Sequence, residues 1–219
     1  MKKSLLIVGK DYPAGRAYVT AAVDSQRNVV ITKESQNDIS EQTEVEFANW
    51  NRSSPISAKN LIIKAETQTG ILDEALVIFD SSLYTSRFSQ FDIETFSKAD
   101  DELVRGYYYI VSEIVSRFLK KNHGQIVFVA KGIKDFFSKS IPVQSAFSAF
   151  KSLAEGFAFQ FDELNAPKIF LVIAENETDD EIAQWLFRYI DEIENLKNKQ
   201  KKKNIRWIKV GEKSGKKFF

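Results

Sequence analysis

Short apolar runs rich in β-branched residues recur at Leu5–Val8, Val29–Thr32, Val45–Phe47, Leu76–Phe79, Ile126–Val129, Ile169–Ile173 and Ile205–Val210. They predict seven strands. Several runs are continuous rather than alternating, as expected of a parallel sheet covered by helices on both faces. Between them, Leu103, Tyr107, Ile110, Val111, Ile114 and Phe118 recur at spacings of three and four, forming one apolar stripe that predicts a long helix. A second helix is expected over residues 143–164, carrying Phe147, Ala154, Phe157 and Phe161, and a third over 179–196. Thr178-Asp179-Asp180 opens the third, because carboxylates are favourable at the positive end of a helix dipole. Strand and helix in repetition imply right-handed crossovers. The expected fold is α/β: a Rossmann-type, doubly wound, mostly parallel seven-stranded sheet with helices on both faces.

A length of 219 residues, 43% of them apolar and 18 of them Phe, suits one domain over residues 1–219, with a loose tail from about 211. With 31 basic and 30 acidic residues, no overall field steers the chain toward polyanions, and nucleic acid is not an expected partner. The stretch Lys197–Lys203 reads as a solvated connection rather than a polyanion-binding patch. There is no cysteine and one histidine, which removes thiolate chemistry and leaves no basis for a metal site. The Leu5–Val8 run is shorter than the ~7–15 residues of a signal-peptide core. No segment reaches the ~20 apolar residues that span a bilayer. A soluble, cytoplasmic protein without membrane association is expected.

The first strand runs into Gly9-Lys10-Asp11-Tyr12-Pro13-Ala14-Gly15-Arg16-Ala17. This resembles the glycine fingerprint of the short-chain dehydrogenases/reductases, with the outer glycines at Gly9 and Gly15, Arg16-Ala17 at the helix start, and Pro13 in place of the middle glycine. Further landmarks follow in the family's order. Phe79-Asp80-Ser81-Ser82 stands where the family has Asn-Asn-Ala-Gly, and Leu103-Val104-Arg105-Gly106 where it has Asn-x-x-Gly. Ala130-Lys131 ends the strand that ordinarily ends in Ser-Ser, and Phe147 to Lys151 resembles the Tyr-x-x-x-Lys helix. Ile173-Ala174-Glu175-Asn176-Glu177 then leads almost directly into the next helix, so the family's substrate lid looks deleted.

The resemblance implies a nicotinamide cofactor, NAD or NADP, and a tyrosine that exchanges the substrate proton while serine orients the carbonyl. Here no member of that set is intact except Lys151: Leu103, Ala130, Lys131 and Phe147 stand at replaced positions. General acid–base catalysis of this kind contributes ~10²–10⁴-fold, and Phe147 has no proton to exchange. Pro13 also removes a backbone donor beside the expected pyrophosphate path, and Asp11 adds a negative charge there. Candidate cofactor contacts are Gly9, Gly15, Arg16 and Lys151, with Lys33 toward a 2′-phosphate and Asn51 near adenine. Ser138, Ser140, Ser145, Ser148, Lys131 or Lys134 could replace the lost acid, although serines ahead of a helix more often act as caps.

Phe147, Phe150, Phe157, Phe159 and Phe161 are too widely spread around one helix to face the sheet together, so part of its outer side should be apolar. In the resembling family, the counterparts of residues 101–120 and 143–164 form a two-fold interface, which implies a homodimer here. The expectation is a catalytically defective, homodimeric binding or scaffold protein, with weak nucleotide binding left open. The alternative is a divergent NAD(P)-dependent oxidoreductase acting on a small carbonyl or alcohol.

Overall fold

The computed structural model describes residues 2–33, 45–132, 140–162, 167–195 and 205–213. Seven strands form one sheet: β1 (Lys3–Tyr12), β2 (Arg27–Lys33), β3 (Val45–Asn49), β4 (Glu74–Asp80), β5 (Gln125–Lys131), β6 (Lys168–Ala174) and β7 (Trp207–Lys209). Their order is β3-β2-β1-β4-β5-β6-β7, and every neighbouring pair is parallel. The helices are α1 (Arg16–Asp24), α2 (Pro55–Thr69), α3 (Ile93–Ala99), α4 (Gly106–Lys121), α5 (Ile141–Gln160) and α6 (Asp179–Asn195).

The continuous apolar runs are explained by two cores, one on each sheet face. Leu6, Val8, Val77, Phe79, Ile126 and Phe128 pack with α2, α4 and α5. The alternate residues Leu5, Ile7, Leu76, Ile78, Val127 and Val129 pack with α1 and α6. Successive strand side chains point to opposite faces, so a doubly covered strand needs apolar residues at every position.

The stripe from Leu103 to Phe118 is buried throughout, but its first turn is not α-helical: Asp100–Arg105 forms a π-helical stretch ahead of α4. Gly106, at the junction, lies against the Arg52 backbone; a β-carbon there would sit 2.8 Å from the Arg52 carbonyl oxygen. β7 is shorter than the run that predicted it, pairing only with Leu171–Ile173 at the sheet edge. The 197–203 stretch, Ser138, Lys134 and the end of the tail lie outside the described residues.

Helix starts follow their sequence signals. Ser54 and Ser140 cap α2 and α5, each followed by proline in the first turn. Thr178 and Glu181 form a reciprocal capping box at α6: Thr178 N–H donates to Glu181 Oε2 (2.8 Å), and Glu181 N–H donates to Thr178 Oγ1 (3.3 Å).

Candidate functional site: the crevice between the first and fourth strands

A doubly wound sheet opens a ligand crevice at the carboxyl ends of its strands where the order reverses, here between β1 and β4. Gly9 lies at that point with φ +94°, and a β-carbon on it would sit 2.0 Å from the Ile78 carbonyl oxygen of β4. Beyond Gly9 the chain stays extended through Tyr12, which pairs with Lys33 after a register shift. The Tyr12–Pro13 peptide is cis, and Arg16 N–H donates to the Pro13 carbonyl at 3.0 Å. Gly15 caps α1, with its Cα so close to the Lys10 carbonyl that a β-carbon would fall 2.4 Å from the oxygen. Both fingerprint glycines are thus required by local packing. Arg16 is exposed.

Two clusters cross the crevice. In the first, the Arg52 guanidinium, with its side chain 11% exposed, stacks near Trp50 (4.8 Å), Tyr84 (5.3 Å) and Tyr107 (5.7 Å). It donates to Tyr84 Oη (2.5 Å) and the Gly9 carbonyl (3.2 Å) and pairs with Asp11 (3.2 Å). Asp11 also accepts from Thr32 Oγ1, so the negative charge expected to repel a phosphate is engaged within the protein. Tyr84 Oη donates to the Gly9 carbonyl at 2.8 Å, and Tyr107 Oη donates to the Ile78 carbonyl at 2.6 Å. Burial pushes the Tyr107 phenol well above its ordinary pKa, which keeps it a neutral donor.

The second cluster is a chain of charges. Lys10 Nζ lies 2.5 Å from Asp80 Oδ2 and 2.5 Å from Asp179 Oδ2, while Lys131 Nζ lies 2.8 Å from Asp179 Oδ1 and 3.9 Å from Asp80 Oδ2. Asp80 Oδ1 accepts from both the N–H and the hydroxyl of Ser82. Burial alone would raise the pKa of Asp179, but hydrogen bonds from Lys10 and Lys131 outweigh it and hold the carboxyl below its usual range. Burial, then Asp179 and Asp80, push the Tyr18 phenol well above its ordinary value.

At Leu103, Ala130 and Phe147, where the resemblance implied catalytic groups, the structure places apolar packing. Leu103 and Ala130 are fully buried, and Phe147 joins the same core, its ring 5.7 Å from Phe79. Phe150 packs on Phe79 (5.3 Å) and Tyr107 (5.0 Å), completing an aromatic wall beside the crevice. Lys151 points to β7, with Nζ 5.5 Å from the Trp207 ring, whose indole N–H donates to Glu155 (2.5 Å). Asn51 is exposed in a turn, where its side chain accepts from Ser53 N–H (3.1 Å). Lys33 is half-buried at the end of β2. Among the substitute acids, Ser140 caps α5 and donates to the Phe88 carbonyl (2.5 Å), Ser145 and Ser148 are exposed, and Lys131 is ion-paired.

The candidates the structure brings together are Gly9 and Lys131 at the crevice, with Leu103, Ala130 and Phe147 in the core behind it. Arg16, Asn51 and Lys151 stand apart from these. Sequence reasoning missed Lys10, Arg52, Asp80 and Asp179 as crevice residues. One signal was available: Asp80 ends a strand with no other acid between Ala75 and Phe79, and such a charge needs a buried partner. Among the described residues no cluster of acids and histidine is placed to hold a metal ion, and no helix is long and apolar enough to cross a membrane.

On the outer side of α4 and α5 lies an open groove of about 670 Å³, lined by Tyr108, Val115, Leu119, Leu153, Gly156 and Phe157 among others. Tyr108 and Phe159 are 55% and 67% exposed.

No protein-family model matches the sequence. An uncharacterized protein of Treponema pallidum (strain Nichols) is 23% identical over 139 residues, 63% of this chain and 62% of that protein. The chain thus matches less than two thirds of this relative's length. ElxO with NADP bound is similar at a TM-score of 0.63 and 19% identity, over 79% of this chain and 72% of that one. A doubly substituted short-chain dehydrogenase/reductase of Serratia marcescens gives a TM-score of 0.62 at 15% identity, over 86% and 88% of the two chains. A protein named for the same family, from Aeromonas hydrophila subsp. hydrophila ATCC 7966, gives 0.74 at 9% identity, over 97% and 100%. The chain has the Rossmann-like fold of the short-chain dehydrogenases/reductases.

Proposed function

We propose that this chain is a catalytically defective protein of short-chain dehydrogenase/reductase fold that acts as a homodimeric binding or scaffold protein. The observation that carries this reading is the crevice itself, crossed by Lys10, Asp80, Asp179, Lys131 and Arg52 where a dinucleotide would lie. A pyrophosphate there would meet three carboxylates, from Asp11, Asp80 and Asp179, whose cationic partners are already engaged. These residues do not fit a dinucleotide. Phe147, beside the same crevice, has no proton to give, and Leu103 and Ala130 are packed as core. ElxO holds NADP, and the alternative of a divergent NAD(P)-dependent oxidoreductase stands on likeness to such neighbours.

Titration with NADPH and NADH, followed by tryptophan fluorescence and thermal shift, separates the two readings. Neither nucleotide is expected to give a saturable response. Saturable binding accompanied by carbonyl-dependent oxidation of NADPH would establish the oxidoreductase instead.

The apolar outer face of α4 and α5 supports a two-fold dimer, in which each groove receives the same helices of the partner. Light scattering is expected to return twice the 25.1 kDa chain mass. A monomer over a broad concentration range would sink the dimer while leaving the catalytic reading intact.

A further inference from the structure

We infer that Lys10 and Lys131 form a socket for the phosphate group of a small molecule, and that the Asp179 carboxylate occupies it as an internal stand-in. The inference rests on the reading that the crevice is closed by the protein's own charges. The two amines grip different oxygens of one carboxylate, Lys10 on Oδ2 at 2.5 Å and Lys131 on Oδ1 at 2.8 Å. That is how two cations share one tetrahedral or planar anion.

The socket and its occupant differ in how they are held. Lys10 and Lys131 stand on β1 and β5, either side of β4, and their side chains are 4% and 17% exposed. Asp80, 1% exposed, lies beneath them and is further held by Ser82. Asp179 is 24% exposed and begins α6, directly after Thr178 and an exposed turn at Glu175 and Asn176. Asp179 is the first residue of α6, ahead of the buried Ile182, so a change of its side-chain rotamer or fraying of the helix end would release it. Two lysines then face one aspartate, leaving a net positive, largely desolvated site on rigid strands. An internal occupant lowers the apparent affinity of a competing anion by the fraction of time the socket is open.

Asp179→Asn removes the competing charge while preserving side-chain shape. Thermal unfolding of this variant is followed against inorganic phosphate, with potassium chloride at matched ionic strength as the control. The expected result is a saturable rise in Tm, with half-saturation at least about tenfold below that of the wild type. The rise should disappear in the Asp179→Asn/Lys131→Met double variant. A folded Asp179→Asn protein that responds to phosphate no differently from chloride overturns the inference, as does a response that survives in the double variant. Should Asp179→Asn not fold, the wild type supplies the readout. Ile182 N–H bonds the Thr178 carbonyl at 3.0 Å in the first turn of α6, so phosphate entering the socket should accelerate hydrogen exchange at Ile182. Unchanged exchange overturns the socket. NADPH binding to the wild type overturns the closed-crevice reading and, with it, the stand-in role of Asp179; a missing phosphate response of Asp179→Asn, with NADPH still unbound, overturns this inference alone.

Discussion

Gly9→Ala is expected to destabilise the protein by about 4 kcal/mol, enough to bring a domain of ordinary stability close to unfolding. The new methyl would sit 2.0 Å from the Ile78 carbonyl oxygen and 2.6 Å from Tyr107 Oη, on a residue held at φ +94°. Strain of a non-glycine residue in that region costs about 1–3 kcal/mol. The carbonyl cannot withdraw, because Ile78 lies in β4, hydrogen-bonded between β1 and β5 at the centre of the sheet. Relief therefore requires separating β1 from β4 and breaking the Tyr107–Ile78 hydrogen bond, which adds about 1–3 kcal/mol. Urea denaturation followed by tryptophan fluorescence measures the change. A loss below about 1 kcal/mol would show that the approach of β1 to β4 is less rigid than this packing requires.

Arg52→Ala is expected to cost about 2–3 kcal/mol, since it removes one partner of a partly buried ion pair together with the hydrogen bonds to Tyr84 Oη and the Gly9 carbonyl. Among the described residues, Asp11 would keep its side-chain hydrogen bond from Thr32 but lose its cationic partner, and Trp50, Tyr84 and Tyr107 would lose the planar cation they surround. Arg52→Lys should recover less than half of the loss. An ammonium cannot reach Tyr84 Oη, the Gly9 carbonyl and Asp11 together while stacking on aromatic faces. Equal stability of Arg52→Lys and the wild type in the same urea experiment would mean that charge alone, without the guanidinium plane, holds the cluster.

These two substitutions also mark where sequence reasoning stops. The fingerprint glycines were recognisable from their spacing, and they are associated with pyrophosphate binding. In this chain Gly9 and Gly15 are each demanded by a neighbouring carbonyl, Ile78 in one case and Lys10 in the other. A glycine required by packing and one required by a ligand look identical in a sequence. Asp11 shows the same ambiguity: beside a glycine turn it reads as an obstacle to phosphate, and in the fold it is the partner of Arg52. Lys151, which the resemblance marked as a catalytic-motif remnant, faces Trp207 of β7, a strand that enters the sheet more than fifty positions later in the chain.

The strands and principal helices were legible because their signal is local. Each element must hide apolar side chains at its own period, so the central strands, covered on both faces, appear as continuous apolar runs, while the edge strands β3 and β7 are shorter and partly exposed. The order of the family-like landmarks likewise led to the fold, because the pattern that packs the layers is carried by many positions and not by any single motif. What fills the crevice was decided only by tertiary structure. Lys10 and Asp80 are 70 residues apart, and they meet because β1 and β4 are neighbours at the reversal of strand order. Asp179 joins them only when α6 returns to the same edge, and Arg52 is aimed inward by the close fit of its backbone against Gly106. Apolar periodicity records which face of an element is buried; the partner of a buried charge depends on how distant elements meet, and that is a property of the assembled fold.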